Sequence, residues 1–261
     1  QTQKFWNKMP LNEKILSGIF TFALISTTLS FLVNDRYQRF LRIFTRFSRN
    51  PEKLAREISR KSFHLLGSFT AIPIRIFSIK LIKICGVFCL VFALLNFTVE
   101  MFRLKNHKLN AFFIKNLAFL MRPEEHNQLS GMPSLFTGVG LNLLILSKPA
   151  IEYGIYSLFL GDAIAALVGI GFGKLKICGK KTLAGFIGCF GMCFWLTSLC
   201  GKQSALIALG SAVIELLCGH VIKINDNFLI PVVSGLLFEG SQVVDRLDET
   251  VWFLKSLWGQ K

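Results

Sequence analysis

Residues 161–185, GDAIAALVGIGFGKLKICGKKTLAG, combine three features that decide how the chain is interpreted. An acidic residue, Asp162, stands in a run of small apolar residues, a cluster of glycines follows it, and the stretch closes on Lys180, Lys181 and Thr182. An acid, flexible glycine backbone and ammonium groups are together what a nucleotide phosphate and its metal ion require. The stretch therefore predicts one wall of a nucleotide site.

The composition around this stretch is that of an integral membrane protein. The 261 residues are 52% hydrophobic and only 17% charged, and their mean hydropathy is +0.52, which exceeds what the core of a soluble domain needs. We interpret the net charge of +15 as a cytoplasmic excess of basic residues in contact with anionic lipid headgroups. No basic stretch carries a nucleic-acid-binding motif, so membrane lipids and not nucleic acids are the expected partners. The seven cysteines lack CxxC spacing and predict neither disulfides nor a metal cluster.

Apolar runs close to the twenty residues that cross a bilayer predict an all-α, polytopic fold with about eight transmembrane helices. The predicted spans are residues 15–33, 62–77, 81–99, 131–146, 151–172, 183–199, 204–222 and 228–244. Residues 34–61, 109–121 and 245–261 have the amphipathic pattern of helices in the membrane interface. We expect an N-terminal anchor helix with a basic interfacial segment (1–56), a membrane-embedded core (57–244) and an amphipathic C-terminal tail (245–261).

If every span reverses the chain, the connections at 34–61, 100–130, 173–182 and 223–227 share one face of the membrane. These connections carry most of the lysines and arginines, so the positive-inside rule makes that face cytoplasmic. The polar clusters that contain candidate functional residues fall on the same face, where nucleotides are available.

Asp162 is the leading candidate, because an acid midway along an apolar span is costly unless it functions or is paired. The other clusters are Arg60, Lys61 and His64; Glu100 and Arg103; Arg122, Glu124 and Glu125; and Asp226 and Asn227. Each has a simpler structural interpretation: an interface anchor, a local i,i+3 ion pair, an exposed loop, or a helix cap.

The basic residues after Asp162 also allow two interpretations. Lys174, Lys180 and Lys181 are positive-inside charges, and Thr182 is a suitable N-cap for the sixth span. A helix N-terminus preceded by lysine and glycine is also an anion site. The spacing does not match a Walker loop.

The order of these motifs resembles one enzyme family. RKSFH, EMFR, MRPEE…SGMP, GDAIAALVG…FG…KKTLAG and DNFLIP together resemble the CTP-dependent lipid-alcohol kinases: dolichol kinase, phytol (prenol) kinase and CTP-dependent diacylglycerol kinase. The resemblance covers about residues 57–236. It implies transfer of the CTP γ-phosphate to a lipid hydroxyl with Mg²⁺ or another divalent cation, giving a lipid phosphate and CDP. Ala184 stands where the dolichol enzymes usually have glutamate, and Ile170 where a basic residue is common, so the choice of lipid stays open.

The resemblance also implies roles for individual residues. Asp162, Asp226 and Asn227 are expected to bind the metal. The expected nucleotide-binding residues are Arg60, Lys61, Gly161, Lys174, Lys180, Lys181, Thr182 and Gly185. Arg60, Lys61 or Arg122 is expected at the transferring group. His64, Glu124 and Glu125 are alternative acceptors of the alcohol proton.

Rival functions remain at this point. A phosphatidate cytidylyltransferase would also join CTP to a lipid but would release pyrophosphate. A transporter or non-catalytic membrane subunit would use the polar residues to line a path or bind lipid, although the halves show no inverted repeat. The resemblance favours the endoplasmic reticulum membrane, with other organelle membranes open, and leaves the oligomeric state unspecified.

Overall fold

The computed structural model describes residues 51–117, 121–198 and 203–258. Over these residues the chain is mostly helical, which confirms the predicted helical class. The α-helices are α1 (Pro51–Gly67), α2 (Ala71–Ile76), α3 (Ile79–Lys105), α4 (His107–Leu117), α5 (Met132–Ile145), α6 (Lys148–Tyr156), α7 (Asp162–Phe172), α8 (Leu183–Thr197), α9 (Ser204–Leu217) and α10 (Asp226–Trp258). The predicted first span, 15–33, and the basic segment up to residue 50 lie outside the described residues.

A short antiparallel hairpin is the exception to the all-α prediction. It joins α7 to α8 through β1 (Lys176–Cys178) and β2 (Lys181–Thr182). Gly179 makes the turn with a φ of +55°, in the left-handed region that glycine enters at no steric cost. The lysines of the predicted phosphate-binding stretch therefore lie on or beside a hairpin.

Three helical segments of the described residues are long and apolar enough to cross a membrane: Ile79–Lys105, Lys148–Phe172 and Asp226–Asp245. They correspond to the third, fifth and eighth predicted spans. Three shorter apolar helices, Met132–Ile145, Leu183–Thr197 and Ser204–Leu217, reach only about 21–23 Å at 1.5 Å per residue, less than the ~30 Å hydrocarbon core. Within the described residues the structure thus shows three candidate membrane-spanning helices, and the eight predicted spans are not shown.

Several predicted boundaries are wrong for local reasons. The second predicted span, 62–77, is interrupted by a 3₁₀ turn, Ser68–Thr70, where the Ser68 hydroxyl donates to the Leu65 carbonyl at 2.6 Å. The seventh does not reach residue 222, because the chain reverses at Gly219, with φ +77°. The helix α10 continues through residue 245, so the predicted amphipathic tail is helical as far as Trp258.

Glycines let the helices approach closely at the centre of the bundle. A Cβ at Gly86 of α3 would lie 3.1 Å from the Gly140 carbonyl oxygen of α5. A Cβ at Gly154 of α6 would lie 2.4 Å from the Pro231 carbonyl oxygen of α10. The buried amide of Asn142 donates to the same Pro231 oxygen at 2.6 Å. These contacts bring α5, α6 and α10 together in the main hydrophobic core.

We expect Gly154→Ala to destabilise the protein by about 1–3 kcal/mol, because its methyl group would overlap the Pro231 carbonyl and the Asn142 amide. Gly191→Ala is the matched control, since Gly191 is also helical and a Cβ there meets nothing within 4 Å. This control should unfold at or slightly above the wild-type temperature, because alanine favours a helix. Thermal unfolding in detergent micelles measures both; equal midpoints for the two variants would contradict the packing described.

Candidate functional site

Asp162 is paired with a lysine from a distant part of the chain. It begins α7, directly after the π-helical turn Ser157–Gly161, a type of distortion often found at functional sites. The Lys61 ammonium, on α1, donates to Asp162 Oδ2, and both residues are buried, with 0% and 3% exposure. His64, one turn further along α1, places its Nδ1 3.6 Å from the same carboxylate oxygen. The pairing resolves the cost of burying the Asp162 carboxylate in an apolar segment.

A second pair joins the hairpin to α9. The Lys181 ammonium donates to both the side chain and the backbone carbonyl of Glu215, whose side chain is buried. Burial disfavours the charged ammonium, but the carboxylates of Glu215, Asp162 and Asp226 together outweigh it and raise the pKa of Lys181 above its ordinary value. The surroundings therefore favour the cationic form of Lys181, at the N-terminal end of α8.

A third pair joins the loop before α5 to the first residue of α10. Arg122 Nη2 donates to Asp226 Oδ2 at 2.9 Å. The Asp226 charge raises the pKa of the Arg122 guanidinium above its usual range. The guanidinium keeps 35% exposure, so it is the most accessible cation of the three pairs.

These six residues form what we call the charged cluster: Lys61, Arg122, Lys181, Asp162, Glu215 and Asp226. The Asp226 carboxylate is close enough to interact electrostatically with Lys61, Lys181 and Asp162 as well as with Arg122. The cluster contains three cations and three carboxylates, so it is neutral overall. Since charges interact strongly where water is excluded, a ligand entering it must replace these pairings with others.

The loop that carries Arg122 is held by a buried arginine. Arg103, fully buried near the end of α3, donates to the carbonyl oxygens of Glu125 at 3.0 Å and Gln128 at 2.7 Å. It also forms the predicted i,i+3 ion pair with Glu100, at 2.8 Å. Glu100 in turn accepts from the Ser130 amide. Buried charge-assisted bonds of this kind fix the loop relative to the membrane helix α3.

The two glutamates of this loop have different environments. Glu125 accepts from the amides of Arg122 at 2.8 Å and Gly131 at 2.9 Å, so its carboxylate closes the loop. Glu124 lies at the surface and pairs with Lys180 of the hairpin at 2.8 Å. The hydrogen bond from Lys180 lowers the pKa of Glu124, which makes it a weaker base. The carboxylates of Glu124 and Glu125, which we predicted as alternative proton acceptors, are therefore both engaged in structural contacts.

The glycines after Asp162 do not form a flexible loop, contrary to the sequence-based expectation. Gly169 and Gly171 lie within α7, and only Gly173 follows it. A Cβ at Gly173 would lie 2.4 Å from Thr182 Oγ1, and one at Gly185 would lie 2.7 Å from the Ala165 carbonyl. Gly169, Gly173 and Gly185 serve the close packing of α7 on the start of α8.

Thr182 caps α8 as predicted, because its hydroxyl accepts from the Gly185 amide at 3.2 Å. Three other predicted nucleotide-binding residues are not members of the charged pairs, although Gly161 directly precedes Asp162 and Arg60 interacts electrostatically with Asp162. Arg60 pairs with Glu57 of its own helix at 2.7 Å, Lys174 is exposed before the hairpin, and Gly161 is buried against the sulfur atoms of α8.

The predicted metal ligands are brought together in part. Among the described residues, no group of three or more His, Cys, Asp or Glu side chains is arranged to hold a metal ion. Asp226 and Asn227 are adjacent and buried, and the Asn227 Oδ1 has no hydrogen-bond partner within the described chain. These hard oxygen donors suit Mg²⁺, which typically takes few protein ligands and completes its shell with phosphates and water. Both predicted aspartate ligands are ion-paired, Asp162 with Lys61 and Asp226 with Arg122.

Sequence reasoning did not assign a role to Glu215, although it lies in an apolar helix as Asp162 does. The same cost of burying a charge would have marked it as a paired or functional residue. The loop-holding role of Arg103 depends on contacts across more than twenty residues and has no local signal.

We expect Lys61→Met and Asp162→Asn each to lower the free energy of unfolding by about 3–5 kcal/mol, because each leaves an uncompensated buried group. The double variant should recover most of this loss, since it removes both charges. Chemical denaturation of the four proteins in one detergent gives the coupling energy. Strictly additive losses would show that the two side chains do not interact.

In comparisons with known proteins, no family model and no solved structure matches the chain. An uncharacterized protein of Methanocaldococcus jannaschii is 29% identical over 188 residues, which are 70% of this chain and 92% of the relative. The relative carries no assigned activity, so the comparison assigns none to this chain. The resemblance to lipid-alcohol kinases stays a prediction.

Proposed function

We propose that the chain is a CTP-dependent lipid kinase that phosphorylates the hydroxyl of a membrane lipid alcohol, most simply a polyisoprenoid such as dolichol. The products are the lipid monophosphate and CDP. The observation that carries the proposal is the charged cluster, in which three cations and three carboxylates from separate segments meet at one end of an apolar helical bundle. Isolated buried ion pairs contribute little to stability, so a concentration of them favours a functional explanation.

Phosphoryl transfer depends mainly on positioning and charge neutralisation. In the proposed reaction the lipid oxygen bonds to the γ-phosphorus while the bond from phosphorus to the β–γ bridging oxygen breaks. Lys181 and Arg122 suit the phosphate charge, because their neighbours keep both of them cationic. Exchanging the carboxylate partner of a cation for a phosphate oxygen keeps the cation paired. The ion pairs with carboxylates thus explain how the cations are kept in an apolar setting before the nucleotide binds.

Asp226 and Asn227 are the residues that would hold Mg²⁺, and the ion would neutralise charge on the phosphates. The adjacent buried oxygens support this assignment. Asp162 would act by fixing the Lys61 ammonium and the ring of His64.

Of the three predicted proton acceptors, His64 is the one we propose. Its Nδ1 is buried and has no hydrogen-bond partner among the described residues, and it lies 3.6 Å from Asp162. Burial and the Lys61 ammonium lower the pKa of His64 to about 3, so the ring is neutral and able to accept a proton. The Asp162 carboxylate facing Nδ1 partly offsets this by stabilising the protonated ring. Glu124 and Glu125 are both engaged in other bonds.

In this proposal the protein has about eight spans in the endoplasmic reticulum membrane or a related one, and the charged cluster faces the cytosol. The apolar helices of membrane length support a lipid substrate that enters from the bilayer. Diacylglycerol and phytol are the alternative acceptors.

The test is an assay of purified protein in nanodiscs with Mg²⁺, γ-labelled CTP or ATP, and a panel of dolichol, phytol, farnesol and diacylglycerol. We expect label in a lipid monophosphate and stoichiometric CDP. Lys181→Ala should lower kcat/KM by roughly 10²-fold or more, as loss of one preorganised charge-stabilising group does in other enzymes. Lys80→Ala, which removes an exposed lysine at the start of α3, should leave it unchanged.

Two results would overturn the proposal. Release of pyrophosphate in place of CDP would indicate a cytidylyltransferase. Absence of lipid phosphorylation with every nucleotide and acceptor, in protein that unfolds cooperatively, would favour a transporter or a non-catalytic membrane subunit.

A further inference from the structure

A groove of about 460 Å³ lies between α3 and α5 and also borders Phe228, in the first turn of α10. One face of α3, represented by Leu90, Ala93 and Phe97, forms one wall. The first turns of α5, with Pro133 and Thr137, form the other wall. Its volume is in the range of small-molecule sites.

The shape of the groove follows from how the two helices pack. At one end α3 and α5 touch through glycines, since a Cβ at Gly140 would lie 3.1 Å from the Gly86 carbonyl oxygen and 2.9 Å from Leu90 Cδ2. The groove lies on the other side of this contact and continues from Leu90 to Phe97. Seven residues of helix correspond to roughly 10 Å. The glycine contact therefore closes the inner end of the groove.

Most residues that line the groove are apolar, and Ser130, Ser134 and Thr137 are the hydroxyl-bearing ones. The Thr137 hydroxyl donates to the Pro133 carbonyl of its own helix at 2.7 Å, so its bonding capacity is already used along the wall. Leu94 and Phe97 at the rim are 66% and 43% exposed on a helix long enough to span a membrane. The groove accordingly opens sideways, toward the hydrocarbon of the bilayer.

The outer end of the groove is polar and adjoins the site. Ser130, which lines this end, is held by Glu100 through its backbone amide at 2.8 Å. Phe228, another lining residue, directly follows Asp226 and Asn227 in the first turn of α10. The Asn227 amide donates to the Gly131 carbonyl at 3.4 Å, beside Ser130. A molecule with a polar head and an apolar chain would match both ends.

We infer that this groove binds the hydrocarbon chain of the lipid alcohol next to its hydroxyl, and so directs that hydroxyl toward Asn227 and the charged cluster. The inference rests on the proposed function for the identity of the head group. The inference adds where the hydrocarbon chain of the lipid binds and how the acceptor is selected. An alcohol whose hydrocarbon chain fills the groove is preferred over a short one.

The kinetic test uses Ala93→Phe, which fills the groove from the buried face of α3; Ala93 is only 5% exposed. For a long-chain polyprenol the KM should rise roughly tenfold or more, since losing two buried methylenes alone costs about that much affinity. The kcat/KM for a one-isoprene alcohol and the KM for CTP should both stay within about twofold of the wild-type values. Leu95→Phe is the control, because Leu95 faces away from the groove and is 58% exposed on the same helix. Equal effects on both alcohols, or none on the polyprenol, would overturn the inference.

A binding test keeps the inference separate from catalysis and from poor folding of Ala93→Phe. Wild-type protein in phosphatidylcholine nanodiscs is irradiated with a long-chain primary alcohol that carries a diazirine in its chain, and the adducts are mapped by mass spectrometry. We expect adducts on Leu90, Leu94 and Phe97 of α3 and within residues 133–137, all of them suppressed by excess unlabelled alcohol. Adducts spread over outward residues such as Phe88 and Leu95, without competition, would mean that bulk bilayer lipid occupies the groove and would overturn the inference. If no nucleotide is turned over but the competed adducts form, the proposed function fails while the groove assignment stands.

Discussion

The structure depends on one electrostatic constraint: charged side chains buried in an apolar helical bundle must be paired. Lys61 and Asp162 are the strictest case, since both are almost completely inaccessible and stand 101 residues apart in the chain. Their contact fixes α1 against α7 and places His64 beside the same carboxylate. The pairs Lys181–Glu215 and Arg122–Asp226 apply the same rule to the hairpin and to the start of α10. The charged cluster therefore has no net charge. An anionic ligand with its cation can enter it if the ion pairs of the cluster are exchanged for pairs with the ligand.

Close packing of glycines provides the frame for that cluster. Gly169, Gly173 and Gly185 bring the end of α7 against the start of α8, so the hairpin with Lys181 is held near Asp162. Gly86 and Gly140 join α3 to α5, and Arg103 at the end of α3 holds the loop that presents Arg122. Small residues that let membrane helices approach, with buried polar groups that fix their register, are a common means of assembling apolar bundles. The position of each charge in the site is therefore set by backbone contacts elsewhere.

Local features of the fold and site could be predicted from the sequence, and long-range pairings could not. The Thr182 cap and the Glu100–Arg103 pair depend on spacings of three residues, which a sequence displays directly. The sequence also shows that Asp162 needs a partner, but the partner is set by how α1 packs on α7. The glycine pattern was misread because a glycine for close packing and a glycine for flexibility look alike in a sequence. Span lengths were overestimated where a 3₁₀ turn or a left-handed glycine ends a helix inside an apolar run.

The central claim is that the charged cluster binds a nucleotide with its metal ion. The most direct measurement is the thermal unfolding temperature of the purified protein in detergent, with and without saturating Mg²⁺–CTP. A ligand that binds only the folded state stabilises it by about 2.7 kcal/mol at one hundred times its Kd. We expect a clear rise in the wild-type protein and in Lys80→Ala, and a much smaller rise in Arg122→Ala. No rise in the wild-type protein with CTP or ATP, or an equal rise in Arg122→Ala, would contradict it.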